Sequence, residues 1–436
     1  MIVRRPMRWD SIRRAANETD RSEVTMRALA TLVTAGALLA PGCTSSKEPV
    51  VADGPRRYQE DLDLLKANVQ VVELTDATGE ARVAVVPAYQ GRVMTSTAEG
   101  SDGWSLGWIN AELIASWETL AHINPYGGED RFWFGPEGGQ FAVFFEQGAA
   151  FDLEHWQTPA VIDTEPFELM KTSSSRAVFR RRASLVNYSG FEFDLQVDRT
   201  IRLLERAEVE SAFGVRAPDG VRLVAFESEN HVTNTGSEPW VKETGLLSIW
   251  ILGMFPPSEG ATVVIPFTPG PEEDLGPIVN DAYFGKVPSE RLVVESQRLF
   301  FRADGQHRSK IGISPQRATP LAGSYDPERG VLTLVQLTIP MGAHDYVNSM
   351  WQLQEEPYAG DVVNSYNDGP PEPGAKPLGP FYELESSSPA LELGPGEFHT
   401  HVHRTAHFQG SEEVLDPIAR AALGVGIAEI KAAFGD

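Results

Sequence analysis

From Phe191 to Asp198 the chain reads Phe-Glu-Phe-Asp-Leu-Gln-Val-Asp, an unbroken alternation of apolar and polar side chains. Successive side chains of a strand point to opposite faces, so this stretch buries Phe191, Phe193, Leu195 and Val197 on one side and wets the other. Similar runs recur at 82–86, 140–145, 176–185, 199–204, 222–233, 331–339 and 398–408. Turn chemistry separates them, as in Tyr188-Ser189-Gly190, Pro218-Asp219-Gly220 and Glu328-Arg329-Gly330. No strand–helix alternation is visible, which argues against a parallel sheet. Helix is expected only as a short amphipathic piece at Tyr58–Asn68 and over 417–434, the latter weakened by Gly424 and Gly426. The expectation is a mostly β chain of two large packed antiparallel sheets with a short C-terminal helix. The Pro/Gly-rich segment 368–380 is expected to be a long loop inside that domain.

The 436 residues carry a formal net charge of −24, which argues against a nucleic-acid partner and against docking on anionic lipid. Cys43 is the only cysteine, so neither a disulfide framework nor a Cys-rich zinc site is available. Its setting is informative: from Met26 comes one arginine, an apolar run from Ala28 to Ala40, then Pro41-Gly42-Cys43. That order is a secretory signal, too short for an ordinary membrane span, and its end resembles a lipobox whose cysteine is acylated. Membrane contact is then expected only through a lipid on Cys43, at the cell envelope or after secretion, with Met26 the expected initiator. We divide the chain into an N-terminal extension and signal over 1–43, a tether over 44–60 and one domain over 61–436.

Chemistry concentrates in a few segments. His122 to Gln140 combines five glycines with Tyr126, Phe132 and Trp133, and with His122, Glu129, Asp130, Arg131 and Glu137. Rings that stack on C–H faces beside charged groups that fork to hydroxyls suit a sugar, although a Gly-rich turn plugged by a tryptophan reads the same way. Glu227, Glu229 and His231 share one strand face, as acid–base groups or as a solvated exterior. Glu383 and Glu385 also share a face, where neighbouring carboxylates raise one another's pKa. Trp351 to Tyr358 and Asn364, Asn367 and Asp368 read as loops over a cleft or on the surface. His399, His401, His403 and His407 alternate on one strand after Pro395-Gly396-Glu397, which resembles a cupin and offers a metal-binding alternative. No P-loop, G-x-G-x-x-G or G-x-S-x-G is present, so no nucleotide cofactor is expected.

Taken in order, three blocks carry a family likeness. The stretch Ala88-Tyr-Gln-Gly-Arg-Val-Met-Thr-Ser-Thr97 with Gly107-Trp-Ile-Asn110 resembles the opening hairpin of galactose-mutarotase-like (aldose 1-epimerase-like) proteins. His231-Val-Thr-Asn-Thr-Gly236 is similar to their central turn, and Glu383-Leu-Glu-Ser-Ser-Ser-Pro389 with Leu393-Gly-Pro-Gly-Glu397 to their closing strands. The resemblance spans most of 65–410, and the GGEDRFWFGPEGGQ and NSYNDGP blocks place the chain near a secreted bacterial branch. It implies an antiparallel β-supersandwich with a sugar-binding cleft on the concave sheet and Glu385 as base, Glu383 its rival. Arg131 and His122 would match the family's early-loop arginine and histidine. The family's general-acid histidine has no counterpart in 245–250. As an enzyme, the chain would use Glu385 as base with His231, His122 or Glu383 as acid, and Arg131, Trp133, Glu129, Asn364, Asn367 and Asp368 would hold the sugar. As a non-catalytic glycan-binding protein, it would use the same cleft without turnover.

Overall fold

The computed structural model describes residues 55–372 and 374–435. The signal-like segment, Cys43 and most of the expected tether lie outside the described residues. Among the described residues no helix is long and apolar enough to cross a membrane. The helix Tyr58–Asn68 forms where its amphipathic pattern predicts, burying Tyr58, Leu62 and Leu65 along one stripe.

Three strands open the fold: β1 (Val72–Thr75), β2 (Arg82–Val86) and β3 (Arg92–Thr97), an antiparallel set of their own. Then come β4 (Arg131–Gly135), β5 (Glu168–Thr172), β6 (Arg176–Val186), β7 (Glu192–Leu203), β8 (Arg222–Asn234), β9 (Ser248–Phe255) and β10 (Thr262–Pro266). The remainder are β11 (Leu292–Val294), β12 (Arg298–Arg302), β13 (Ser309–Ile313), β14 (Leu321–Asp326), β15 (Val331–Leu337), β16 (Val363–Asn367), β17 (Tyr382–Ser387) and β18 (Phe398–Gln409). They build a ten-stranded sheet in the order β11-β12-β10-β14-β15-β18-β8-β7-β6-β5 and a five-stranded sheet in the order β13-β16-β17-β9-β4. Every ladder in both is antiparallel.

The sheets pack face to face, which makes the fold a mostly β sandwich. Phe193, Leu195 and Val197 of β7 and Phe226 of β8 share one apolar cluster with Phe132 and Phe134 of β4 and Ile249 and Ile251 of β9. A second cluster joins Ile311, Val363 and Leu384 of the smaller sheet to Val263, Leu299 and Val335 of the larger. Each such side chain contributes about 1.5–3 kcal/mol when fully buried. The outer face of the large sheet is covered by the helices Arg206–Phe213, Glu412–Leu423 and Ile427–Lys431, whose Val209, Leu415, Ile418 and Ile430 pack on Phe300, Leu332 and Phe408.

Two local expectations change. The single late helix is two, because Gly424 takes a left-handed φ of 71° that ends the first. Residues 140–145 form turns rather than a strand, since Ala142 and Val143 donate back to the Gly139 and Pro136 carbonyls while Phe144 and Phe145 still fill the core.

The sandwich interior also holds polar groups. Arg199 extends the inward row of β7, and its guanidinium donates to the Asn230 side chain at 2.7 Å and to the backbone and carboxylate of Asp130. From β18, His401 and His403 point inward and both meet Ser386 Oγ at 2.8 Å. His407 bonds Thr333 Oγ1 and Glu129 Oε2, each at 2.8 Å.

Candidate functional site

Alternation sends the second set of side chains of the five-stranded sheet away from that core. Register lines up Arg131 and Trp133 of β4, Trp250 and Leu252 of β9, Glu383 and Glu385 of β17, Asn364 of β16, and Lys310 of β13 on this far face. Glu385 lies at its centre. Its Oε2 accepts from Trp250 Nε1 at 2.9 Å and from Lys310 Nζ at 2.8 Å, while its buried Oε1 has no protein partner. Trp250 thus lies in the stretch where the family resemblance had shown no histidine, and an indole N–H meets the carboxylate.

Glu383 Oε1 accepts from Arg131 Nη2 at 2.7 Å, and that guanidinium lies 4.2 Å over the Trp133 ring. Burial pushes the Glu383 carboxyl up to about 8, against the pull of Arg131 and with a further push from Glu385. Trp133 and Trp250 meet edge to face at 5.6 Å, and Lys310 Nζ sits 4.6 Å over the Trp250 ring.

Groups that no motif had singled out complete the face. Asp361 Oδ2 accepts from Tyr283 Oη at 2.7 Å and Asn280 Nδ2 at 2.9 Å. Burial raises both the Asp361 carboxyl and the Tyr283 hydroxyl above their usual ranges. Gly312 makes this possible: a Cβ there would fall 2.1 Å from Asp361 Oδ2 and 2.6 Å from Asn364 Nδ2. Glu137, which the sequence had already named in the Gly-rich segment, is half-buried in the loop after β4. There burial raises its carboxyl, while Lys310 and a hydrogen bond from Trp351 pull it down. Ser248, Trp250, Tyr283, Lys310, Asp361 and Asn364 enclose a polar pocket with room for about one water-sized group. Val347 and Ser349 cover it from the segment before β16. Four buried polar atoms on this face have no protein partner: Arg131 Nε, Trp133 Nε1, Ser248 Oγ and Glu385 Oε1.

Of the residues expected from sequence, the fold brings together Glu385, Glu383, Arg131, Trp133 and Asn364. It sends the others elsewhere. His231 stands on the solvent side of β8, stacked on Phe398 at 4.1 Å and bonded to Thr400 Oγ1 at 2.9 Å. Its face partner Glu227 pairs with Arg202 and Arg404, as a solvated face would. His122 bonds the Trp156 carbonyl at 2.7 Å rather than a carboxylate. Glu129 is fully buried between Ser96, at 2.9 Å, and His407. Asn364 and Asn367 are not loop residues but strand β16, and the odd spacing turns Asn367 to the opposite face. There Asn367 ties down Gly305 and the His307 carbonyl, both at 2.9 Å. Asp368 fastens the following loop, accepting from Tyr366 Oη at 2.7 Å and Gly379 N at 2.8 Å.

The histidine strand gives no metal centre. Its inward rings are engaged by Ser386, Thr333 and Glu129, and among the described residues no three His, Cys, Asp or Glu side chains converge as ligands.

Among the described residues the protein is of the antiparallel β-sandwich class, with an enclosed polar pocket on its smaller sheet. Within it, the chain belongs to the family of unknown function DUF6786, which matches residues 56–434. Solved structures similar to it include the Slr1438 protein of Synechocystis sp. PCC 6803, 14% identical over 83% of this chain and 99% of that one, with a TM-score of 0.49. A galactose mutarotase-like protein from Lactobacillus casei ATCC 334 is 12% identical over 78% of this chain and 100% of that one, with a TM-score of 0.45. A galactose mutarotase related enzyme from Lactobacillus acidophilus is 9% identical over 78% and 98%, with a TM-score of 0.42. No curated protein matches the chain.

Proposed function

We propose that this chain is a carbohydrate-binding protein held at the cell envelope by a lipid on Cys43, and that the sugar binds on the face around Glu385. The observation that carries the reading is the set of four unpartnered, buried polar atoms beside two indole rings. A buried donor or acceptor left unpaired costs about 1–3 kcal/mol, and a polyhydroxylated ligand offers both donors and acceptors to relieve it. Its C–H faces suit the tryptophans. Entry requires the covering segment to lift; it is pinned by Gln354, which exchanges bonds of 2.9 and 3.0 Å with Gln140. The same geometry offers acid–base chemistry, because Glu385 presents a free acceptor oxygen and burial favours a proton on Asp361.

Tryptophan fluorescence tests the reading with a panel of mono- and oligosaccharides. A saturable change with at least one sugar, lost in the folded Trp133→Phe/Trp250→Phe variant, is expected; no change with any sugar refutes it. Gly312→Ala is expected to push the Asp361 and Asn364 side chains out of place, weakening the bound sugar about tenfold, or about 1.4 kcal/mol, in the same titration. For the anchor, Cys43→Ala should release the chain from the membrane fraction.

A further inference from the structure

The connection from Thr338 to Val362, between β15 and β16, holds neither helix nor strand. Segments of that length without regular structure are uncommon inside a domain, and many of those that occur are lids. Its two feet are fixed. Tyr346 is buried, its amide donates to the Tyr358 carbonyl at 3.0 Å, and the Gly360 amide donates to the Tyr346 carbonyl at 2.8 Å. Just outside them, the Ala390 amide donates to the Asp345 carbonyl at 2.9 Å and the Val362 amide to the Ile313 carbonyl at 2.8 Å. Between the feet the chain bonds to itself. The Asn348 amide donates to the Pro357 carbonyl at 2.9 Å, and Gln354 Nε2 to the Asn348 and Met350 carbonyls at 3.0 and 2.8 Å. Residues 347–356 are therefore one compact unit.

Among the described residues, the hydrogen bonds that hold this unit to the body all go to the stretch Gly135-Pro-Glu-Gly-Gly-Gln140. The Glu137 amide donates to Ser349 Oγ at 3.1 Å, and the Gln140 side chain exchanges two bonds with the Gln354 backbone. The Trp351 ring also rests against Phe145 and Trp156, at 5.3 and 5.8 Å. Added Cβ atoms at Gly135, Gly138 and Gly139 would fall 2.9 Å from Val347 Cγ2, 2.4 Å from the Met350 carbonyl oxygen and 2.7 Å from Gln354 Nε2. The glycines of this motif are thus a bed on which the unit lies flat. Lying there, Val347 and Ser349 close the pocket that Trp250, Lys310 and Asp361 line.

We infer that residues 347–356 are a lid that swings as one body about the feet at Tyr346 and Gly360, is latched shut by Gln140, and admits the ligand only when unlatched. The inference rests on the carbohydrate reading above for the ligand and names how access to that site is regulated. Association then scales with the fraction of molecules whose lid stands open.

Hydrogen exchange of the full-length chain tests the motion without a ligand. In Gln140→Ala the Glu137 amide should exchange about tenfold faster, because Ser349 Oγ leaves with the lid, although Gln140 does not bond that amide. The Asn348 amide, bonded inside the lid, should exchange as in the natural chain. Unchanged exchange at Glu137 means a fixed segment, and equal acceleration at Asn348 means an unravelling one; either overturns the inference. Stopped-flow tryptophan fluorescence with the sugar panel above, glucose and N-acetylglucosamine and their oligomers included, then tests the gate. Association should be about fivefold faster in both Gln140→Ala and Gly138→Ala than in the natural chain. Gly138→Ala lifts the lid through the Met350 carbonyl instead of the latch, so either variant decides the matter should the other not fold. Sugar bound at one rate by all three chains overturns the lid and leaves the carbohydrate reading standing. Faster exchange at Glu137 with no sugar bound by any chain supports the lid and overturns the carbohydrate reading.

Discussion

Replacing Arg199 with alanine is expected to cost about 3–5 kcal/mol of stability, the largest single effect foreseen here. The side chain is 0% exposed, as is that of Asp130, to which its guanidinium bonds. It also joins Asn230, the Gly91 carbonyl and the Asp130 carbonyl, so one group ties β7, β8 and the approach to β4 together. Truncating it strands the Asp130 carboxylate in the interior without its cation. Replacing both partners, as in Arg199→Met/Asp130→Leu, should recover much of the loss, because the stranded charge is then gone. The exposed pair Lys431–Glu412 is the control: Lys431→Ala should cost less than about 1 kcal/mol. Urea denaturation of the variants measures all three, and a loss below about 1 kcal/mol for Arg199→Ala would contradict the packing described.

Acid should unfold the protein through His401 and His403. Burial, with His403 as a neighbouring contributor, takes His401 down to about 3, and burial takes His403 down to about 4. Ser386 Oγ has one proton to give, so one imidazole donates to it and the other accepts, and both stay neutral. In the unfolded chain a histidine titrates near 6.5. The unfolded state therefore binds more protons below that value, and the stability associated with these rings is fully present above pH 6.5 and lost as pH falls towards 4 and 3. Each should contribute a slope of about 1.4 kcal/mol per pH unit in that window. Glu383 works the other way: with its folded value near 8, stability falls as pH rises from about 4.5 to 8. The clean readout is thus a difference. The stability gap between the natural chain and His401→Gln/His403→Gln should shrink as pH falls below 6.5, and a gap independent of pH would contradict neutral, buried rings.

Strands with one wet face were legible in the sequence. Alternation marked β6, β7, β8 and β18 closely because one side of each meets solvent or covering helices. The strands that carry the pocket were harder. All eight residues of β9, from Ser248 to Phe255, are buried, as are all five of β4 and of β16. A strand covered on both faces has no period-2 signal, which is why Asn364 to Asn367 read as a loop. Glu383 and Glu385 were recognisable as a pair, but their partners come from far along the chain: Arg131 lies 252 positions from Glu383, and Lys310 lies 75 from Glu385. Local patterning is blind to such contacts. Nor does alternation say which sheet will cover a face, so His231, expected in the cleft, ended in solvent. The histidines of β18, open to a metal reading, became interior hydrogen-bonding groups.

The central claim is that the face around Glu385 holds the ligand, and a ligand-dependent thermal shift tests it most directly. Any ligand that binds the native state alone raises its melting temperature by mass action. The natural chain, Glu385→Gln and His231→Ala would be melted with and without the sugar that gives the greatest shift. The account predicts that Glu385→Gln loses the shift while His231→Ala keeps it in full. A shift that survives Glu385→Gln and disappears in His231→Ala would place the ligand on the outer face of the large sheet and contradict the account.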